Sequence, residues 1–296
     1  MLKNGNKIYK LAKELWPYNR SITGINTFKS LKIIKKKIKK LKIIKVKTNT
    51  KVYDWKIPPE WSVKEAYIEN IKGQKIVDYK KCNLHLISHS SSLKKQNISL
   101  KALKKKLFFN KKNSNSIPYR TTYYKKDWGF CISYKQYKSL KEPKYKVNIE
   151  TNFKKGNLYY GELFVKGKSN KEILFSTNIC HPSLANNELS GPTVLTFLSN
   201  FLLKRKNYFS YRIVFVPETI GSLTLIKKRL IKKIKSIIFG FNCVCLGDEK
   251  NYSILFSKYN NSLSDYFGLK AIKKTSKKYK RYTWLERGSD ERQYSS

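Results

Sequence analysis

Acidic residues are scarce in this sequence. Nineteen Asp and Glu stand against 64 Lys and Arg in 296 residues, which gives a net charge of +45 at pH 7. A balance this basic ordinarily indicates a polyanionic partner, because neutralising phosphates drives non-specific nucleic-acid binding. Here the excess is nearly all lysine and is spread along the whole chain, whereas a nucleic-acid groove concentrates arginine and aromatic residues on one surface. We therefore expect no nucleic-acid partner.

Long apolar runs are also missing. The first sixteen residues contain no apolar core of signal-peptide length, and the longest apolar run, residues 236–246, is too short to cross a bilayer. Five cysteines, an odd number, fit a compartment where thiols stay reduced. Cys243 and Cys245 form a lone C-x-C without the second pair that a zinc finger requires. These absences predict a cytoplasmic protein without a membrane segment.

Only three histidines are present. His85 and His89 lie four apart in NLHLISHS, a strand-like stretch with no acid nearby, so a structural role is the better interpretation of both. The third, His181, lies in STNICHPSLANNELSG (residues 176–191), between an apolar strand-like run and an apolar helix-like run. This histidine is therefore predicted to follow the carboxyl end of a strand, where open α/β sheets usually hold ligands and metals.

The apolar periodicity predicts an α/β protein with a mainly parallel sheet. After two amphipathic helices (7–16 and 27–40), residues 41–148 contain short alternating runs broken by Pro, Gly and Asn, which indicates an inserted β-rich subdomain. From residue 149 the pattern alternates strand and helix, which predicts right-handed crossovers. The expected organisation is an N-terminal helical part of the core (1–40), the insertion (41–148) and an α/β core (149–296).

Three acids are expected to share a sheet edge with His181: Glu188, Glu218 and Asp248. Hydrolytic zinc needs a few nitrogen or oxygen ligands, an open position for water and a carboxylate that takes the proton from that water. These residues follow successive predicted strands and supply such groups. Alternatively, the acids are helix caps or solvated loop residues, and His181 is a turn residue before proline.

Seven ordered motifs carry a family resemblance. They are LWPYNRSITG (15–24), YDWKIPPEW (53–61), IPYRTTYYKKDWGFC (117–131), HPSLANNELSG (181–191), VPETIGS (216–222), LGDEKNYS (246–253) and RGSDERQY (287–294). With these motifs the chain resembles aminopeptidase-like proteins associated with bacterial polysaccharide biosynthesis. Those proteins carry a domain of unknown function and are similar in turn to the co-catalytic zinc exopeptidases. The resemblance implies a zinc-exopeptidase type of α/β fold.

The resemblance also implies roles for the candidate residues. Glu218 matches the general base, and the predicted metal ligands are His181, Glu188 and Asp248. Asn187 occupies the place of a metal-bridging aspartate, and Thr219 that of another ligand. One zinc ion is therefore expected rather than two. The residues expected to contact a peptide or amino-sugar-like substrate are Asn187, Arg287 and Asp290.

The sequence stops shortly after RGSDERQY, whereas the resembled family continues with a late histidine ligand and a winged-helix domain. The resemblance therefore predicts a C-terminally truncated copy. Two functions follow as hypotheses: a zinc-dependent amide or peptide hydrolase linked to surface polysaccharide biosynthesis, or a catalytically degenerate binding or accessory protein with the same fold.

Overall fold

A computed structural model describes residues 2–247, 251–286 and 288–295 of the chain. Eight α-helices lie within these residues, and none of them combines the length and the apolar character needed to cross a membrane. The helices are α1 (Leu2–Leu15), α2 (Ile25–Lys37), α3 (Leu100–Lys104), α4 (Tyr134–Ser139), α5 (Ser190–Leu203), α6 (Ile220–Leu225), α7 (Leu263–Thr275) and α8 (Glu291–Tyr294).

The strands of the described residues form several separate sheets. They are β1 (Lys42–Lys47), β2 (Lys51–Val52), β3 (Trp55–Lys56), β4 (Glu60–Glu69), β5 (Lys75–Asp78), β6 (Leu93–Ser99), β7 (Leu107–Phe108), β8 (Phe130–Cys131), β9 (Lys144–Lys154), β10 (Asn157–Val165), β11 (Glu172–Asn178), β12 (Ser210–Val216), β13 (Ile237–Asn242), β14 (Tyr252–Leu255) and β15 (Tyr279–Tyr282).

The largest sheet has five strands in the order β1-β10-β12-β11-β13. Strands β12, β11 and β13 are parallel neighbours, and helices α5 and α6 lie between them in the chain, as parallel crossovers require. Strands β1 and β10 run antiparallel at the other edge, so the sheet is mixed. The predicted α/β class is confirmed. Strand β10 runs antiparallel to both of its neighbours, which makes the sheet mixed where a mainly parallel one was expected, and this direction is not visible in the apolar pattern.

The alternating pattern after residue 149 predicts a helix after β12, and the helix observed there changes type along its length. Helix α6 ends at Leu225, and a π-helical turn (Ile226–Leu230) and a 3-10 turn (Ile231–Lys233) continue the path. Within the apolar run at residues 236–246, strand β13 ends at Asn242, and beyond it Cys245 takes a left-handed conformation with φ of 53°. Apolar periodicity therefore gave the positions of these elements better than their ends.

Helices α1, α2 and α5 supply the main core against the five-stranded sheet. Leu15, Leu31 and Ile34 are fully buried and belong to the same cluster as Ile213 and Phe215 of β12. Burying each such side chain contributes roughly 1.5–3 kcal/mol. The lysines of α2 lie on the exposed side, as its amphipathic pattern predicted.

The chain divides into two compact units: residues 1–59 with 156–296, and residues 60–155. The predicted insertion (41–148) and the second unit share residues 60–148. Strand β1 belongs to the five-stranded sheet of the first unit. The domain boundaries inferred from the sequence therefore stay a prediction.

The second unit has a four-stranded antiparallel sheet in the order β5-β4-β9-β6 and a core of its own. Residues 83–85, predicted as part of a strand, form a 3-10 turn. His85 is buried there, with Nδ1 2.7 Å from the carbonyl oxygen of Cys131. His89 is buried against the Trp61 ring, at a centroid distance of 5.3 Å.

Candidate functional site

The carboxyl ends of β11 and β12 lie level at one sheet edge, because Asn178 pairs with Val216. His181 follows β11 and Glu218 follows β12, so the two side chains meet beyond that edge. His181 Nε2 lies 3.5 Å from Glu218 Oε2. Parallel pairing of two buried strands thus places an imidazole beside a carboxylate.

Glu188 lies on the other side of the His181 ring. It belongs to a π-helical turn (Ala185–Leu189) that leads into α5, and its side chain is fully buried. Its Oε2 accepts hydrogen bonds from the backbone N–H groups of Cys180, at 2.8 Å, and His181, at 3.1 Å. Its Oε1 is hydrogen-bonded to His181 Nδ1. The imidazole is therefore held between two carboxylates.

The charges in this group stabilise one another. Burial opposes the charged form of His181, but Cys180 and Glu188 raise the pKa of its imidazole well above the ordinary value. For Glu188, burial acts to raise the pKa, but His181 and the two backbone donors lower it overall. Burial raises the pKa of the Cys180 thiol to about 11.

Glu218 is the most open member of the group, with 31% of its side chain exposed. Ser289 donates its hydroxyl to Glu218 Oε1 across 2.5 Å, and Asn178 Nδ2 donates to Ser289 Oγ across 3.0 Å. One carboxylate oxygen of Glu218 is thus fixed. The other faces His181.

Asp290 lies beneath this edge rather than at its surface. It is fully buried, and its Oδ1 accepts hydrogen bonds from Thr219 N at 2.7 Å and from Ser222 Oγ at 3.0 Å. Burial raises the pKa of its carboxyl to about 8, with a further contribution from Glu218. Its contacts hold the start of α6. The predicted substrate contact of Asp290 stays a prediction.

Asn187 and Thr219 occupy the positions where the family resemblance expects metal ligands. Asn187 is exposed, and its Nδ2 donates to Cys245 Sγ at 3.7 Å. Thr219 has φ of 61° and ψ of −74°, a left-handed region that costs a non-glycine residue on the order of 1–3 kcal/mol. Neither supplies a carboxylate. The predicted ligand Asp248 and the predicted substrate-binding Arg287 lie outside the described residues.

Sequence reasoning did not assign three residues of this region to the site: Cys180, Ser289 and Asn178. Cys180 is adjacent to His181, and that adjacency after a buried strand was the available signal. The contacts of Ser289 bridge distant parts of the chain and left no local pattern. Arg20, which lies in the motif LWPYNRSITG (15–24), is fully buried and donates from Nη1 to the Leu15 carbonyl oxygen at 2.5 Å.

Among the described residues, three neighbouring side chains form a donor set that is suited to one divalent metal ion. Cys180, His181 and Glu188 each offer a ligand atom, and these atoms lie within 4.8 Å of one another. Imidazole, carboxylate and thiolate are the ligands that zinc takes in proteins. A two-ion centre would need bridging anions, and the amide of Asn187 and the hydroxyl of Thr219 do not provide them.

The chain matches a family model described as a domain of unknown function (DUF4910) over residues 9–296. It is 40% identical over 296 residues to a Clostridium acetobutylicum protein named as a polysaccharide biosynthesis protein with an aminopeptidase-like domain. That alignment covers 99% of this chain and 67% of the relative.

Solved structures show the same fold. A Clostridium acetobutylicum crystal structure, provisionally named a peptidase, superposes with a TM-score of 0.94 at 39% identity, covering 99% of this chain and 69% of that one. BSAP, a zinc aminopeptidase from Bacillus subtilis, has a TM-score of 0.64 at 13% identity, covering 95% and 78%. The predicted zinc-exopeptidase type of α/β fold is thereby confirmed.

Proposed function

The chain belongs to the family described as a domain of unknown function (DUF4910), and within its aminopeptidase-like fold we propose that it hydrolyses an amide bond with one divalent metal ion, zinc, at the edge beyond β11 and β12. The observation that carries this proposal is the position of His181. Its ring lies between the buried carboxylate of Glu188 and the partly exposed carboxylate of Glu218.

The residues that would hold the ion are His181 and Glu188, with Asp248 as a further ligand outside the described residues. When bound, a zinc ion polarises a carbonyl oxygen and lowers the pKa of a coordinated water. Glu188 is suited to this role because two backbone N–H groups already fix its carboxylate. Its position does not depend on the ion.

Glu218 would act as the general base. Its exposed side chain reaches the open side of the site, and Ser289 fixes one of its oxygens. A positioned base of this kind contributes about 10²–10⁴-fold to a hydrolytic rate. Substrate contacts are assigned to Asn187, Arg287 and Asp290 as predictions.

Two relatives support a proposal for the substrate class. One solved neighbour is a zinc aminopeptidase, and the Clostridium acetobutylicum relative is named for polysaccharide biosynthesis. We therefore propose a small peptide-like or amino-sugar-like amide as the substrate and a cytoplasmic role in the synthesis of a surface polysaccharide.

The test combines metal analysis with hydrolysis of a panel of aminoacyl anilides and N-acyl amino sugars. We expect zinc-loaded wild-type protein to turn over a member of the panel. Glu218→Gln should lower kcat by at least about 10²-fold and leave the zinc content unchanged. The exposed Glu286→Gln serves as the matched control and should retain full activity. Unchanged hydrolysis in Glu218→Gln would exclude Glu218 as the base.

A second function, a binding or accessory protein without catalysis, is favoured by one observation. The residues in two expected ligand positions, Asn187 and Thr219, are uncharged. This function predicts saturable binding of an amino-sugar or peptide ligand without turnover by the zinc-loaded protein. If the wild-type protein turns over a substrate and His181→Ala abolishes that turnover, this second function is excluded.

A further inference from the structure

We propose that Cys180 is a metal-binding residue, and that its thiolate completes a donor set with His181 and Glu188 for a divalent ion that accepts sulfur, namely zinc or cobalt(II). This inference rests on one part of the proposed function, namely that a metal ion binds at His181. It does not depend on hydrolysis.

The geometry of the three donors supports one shared ion. All three residues are buried or nearly so, and their ligand atoms lie within 4.8 Å of one another. Bond lengths of about 2.3 Å to sulfur and 2.0–2.1 Å to nitrogen or oxygen place tetrahedral donors roughly 3.3–3.6 Å apart. The widest separation would have to shrink by little more than about 1 Å, and the hydrogen-bonded His181 nitrogen and Glu188 oxygen would have to move apart to admit the ion. Side-chain rotation can supply both movements.

Two of the donors are fixed by backbone N–H groups. Glu188 accepts from Cys180 N and His181 N, and the Cys180 sulfur accepts from Glu218 N at 3.2 Å. Hydrogen bonds to a ligand carboxylate or sulfur orient it and favour its anionic form. The loop that follows β11 and the π-helical turn after it therefore present a thiol, an imidazole and a carboxylate between Cys180 and Glu188.

A buried cation lies close to both acidic donors. Arg20 is fully buried, and among the described residues its Nε and Nη2 have no hydrogen-bond partner. Burial lowers the pKa of its guanidinium to about 10, while Glu188 and Cys180 act in the opposite direction. Because Glu188 and Cys180 both interact electrostatically with Arg20, a buried positive charge lies near the carboxylate and the thiol. This buried positive charge offsets part of the negative charge that a thiolate and a carboxylate carry when they bind a metal ion.

The proton balance of binding is simple. The ion replaces the thiol proton of Cys180 and the proton shared between His181 and Glu188, and both protons leave to solvent. The donor set also restricts the metal. A thiolate with imidazole selects zinc or cobalt(II) over magnesium, calcium or manganese, which prefer oxygen ligands.

The experiment is a cobalt(II) titration of the full chain followed by absorption spectroscopy. A cobalt–thiolate bond gives an intense charge-transfer band in the near ultraviolet, which nitrogen and oxygen ligands do not give. We expect this band in the wild-type protein and in two control variants, Cys82→Ala and Cys131→Ala, which alter thiols of the second unit. Cys180→Ala should lose the band and bind cobalt(II) about 10–100-fold more weakly.

Variants around the His181 ring locate the ion. His181→Ala and Glu188→Gln should weaken cobalt(II) binding, whereas Glu218→Gln should retain both the affinity and the band. Cobalt(II) binding without a thiolate band, weakened by Glu218→Gln and not by Cys180→Ala, would place the ion at Nε2 and overturn the assignment of Cys180. That result would also make Glu218 a ligand rather than the base, whereas metal-dependent hydrolysis itself would still be decided by the substrate panel.

Two further outcomes separate the proposals. A thiolate band that depends on Cys180, in a protein without turnover, would support the metal site and count against the hydrolase. Absence of cobalt(II) binding by folded wild-type protein would overturn both. Circular dichroism checks that each variant is folded, and Cys180→Ser provides a second substitution of the same residue. If neither variant folds, the cobalt(II) spectrum of the wild-type protein still shows whether sulfur binds the ion.

Discussion

Arg212 Nε on β12 donates to Glu172 Oε2 on β11 across 2.8 Å, inside the five-stranded sheet. Nη1 of the same guanidinium bonds to Glu162 on β10, so one arginine joins three adjacent strands. All three side chains are buried. Burial lowers the pKa of Arg212, but Glu172 and Glu162 raise it overall, as expected for a guanidinium that stays charged between two carboxylates.

Replacing Arg212 should destabilise the sheet strongly. Arg212→Met leaves two buried carboxylates without their cation, and breaking a buried ion pair in this way costs about 3–5 kcal/mol. Urea unfolding measures the change in unfolding free energy. The control is Lys64→Met, which removes an exposed ion pair to Glu150 and should produce no measurable change. Equal effects of the two substitutions would contradict the expected role of burial.

Gly191 should not accept a side chain. A Cβ at this position would lie 2.1 Å from both the Cys243 carbonyl oxygen and Thr177 Oγ1, because the start of α5 packs directly on the strand ends. Gly191→Ala should therefore lower the unfolding free energy by about 1–3 kcal/mol. Gly5→Ala is the matched control in α1. Its Cβ has no neighbour within 4 Å, so it should raise the unfolding free energy by about 0.5–1 kcal/mol.

His89 should make the protein sensitive to acid. Burial lowers the pKa of its imidazole to about 3, whereas in the unfolded chain it titrates near 6.5. Below about pH 6.5 the unfolded state binds a proton that the folded state does not, so stability falls by up to about 1.4 kcal/mol per pH unit until about pH 3. Above pH 6.5 this contribution is constant.

His89→Asn tests that expectation, because asparagine tolerates the left-handed φ of 65° at this position and does not titrate. Urea unfolding at pH 7, 5.5 and 4.5 should show a steeper loss of stability on acidification for the wild-type protein than for the variant. Parallel losses in the two proteins would assign the acid sensitivity to other groups.

An aspartate at position 187 should strengthen metal binding. Asn187 is exposed at the turn that carries Glu188, and a carboxylate there adds a negative charge near the proposed ion. We expect Asn187→Asp to bind cobalt(II) about tenfold more tightly, the equivalent of about 1.4 kcal/mol. Isothermal titration calorimetry measures the affinity. Asn186→Asp is the neighbouring control and should change it less, since the Asn186 side chain accepts a hydrogen bond from Gly247 N. An effect of equal size in both variants would indicate general electrostatics rather than a ligand.

Much of the fold could be predicted because buried parallel strands have a distinctive sequence. Strands β11 and β12 lie within apolar runs, and both are buried along most of their length. The backbone hydrogen-bond spacing that distinguishes one helix type from another leaves no such pattern in the sequence. The same apolar and lysine pattern suits an α-helix, a π-helical turn or a 3-10 turn, so the change of helix type after Leu225 was not predictable.

The candidate site could likewise be predicted only in part. Strand topology was enough to predict that His181 and Glu218 lie near the same edge, and the structure brings them together. The sequence did not show that Glu188 turns inward to bond the imidazole, because a π-helical turn directs it there. Contacts of Ser289 depend on packing between segments more than seventy residues apart and require three-dimensional information.

The pairing of β4 with β9 sets Glu60 opposite Lys154, so the polypeptide enters and leaves the second unit at neighbouring positions. An inserted segment of this kind can be deleted, and the two ends of the remaining chain can be joined by a short flexible linker without stretching the backbone. The remaining residues would keep every strand of the five-stranded sheet and all the groups around His181. Deleting the second unit would therefore yield a minimal version of the protein, in which the chemistry of the His181 imidazole and the neighbouring carboxylates can be studied by itself.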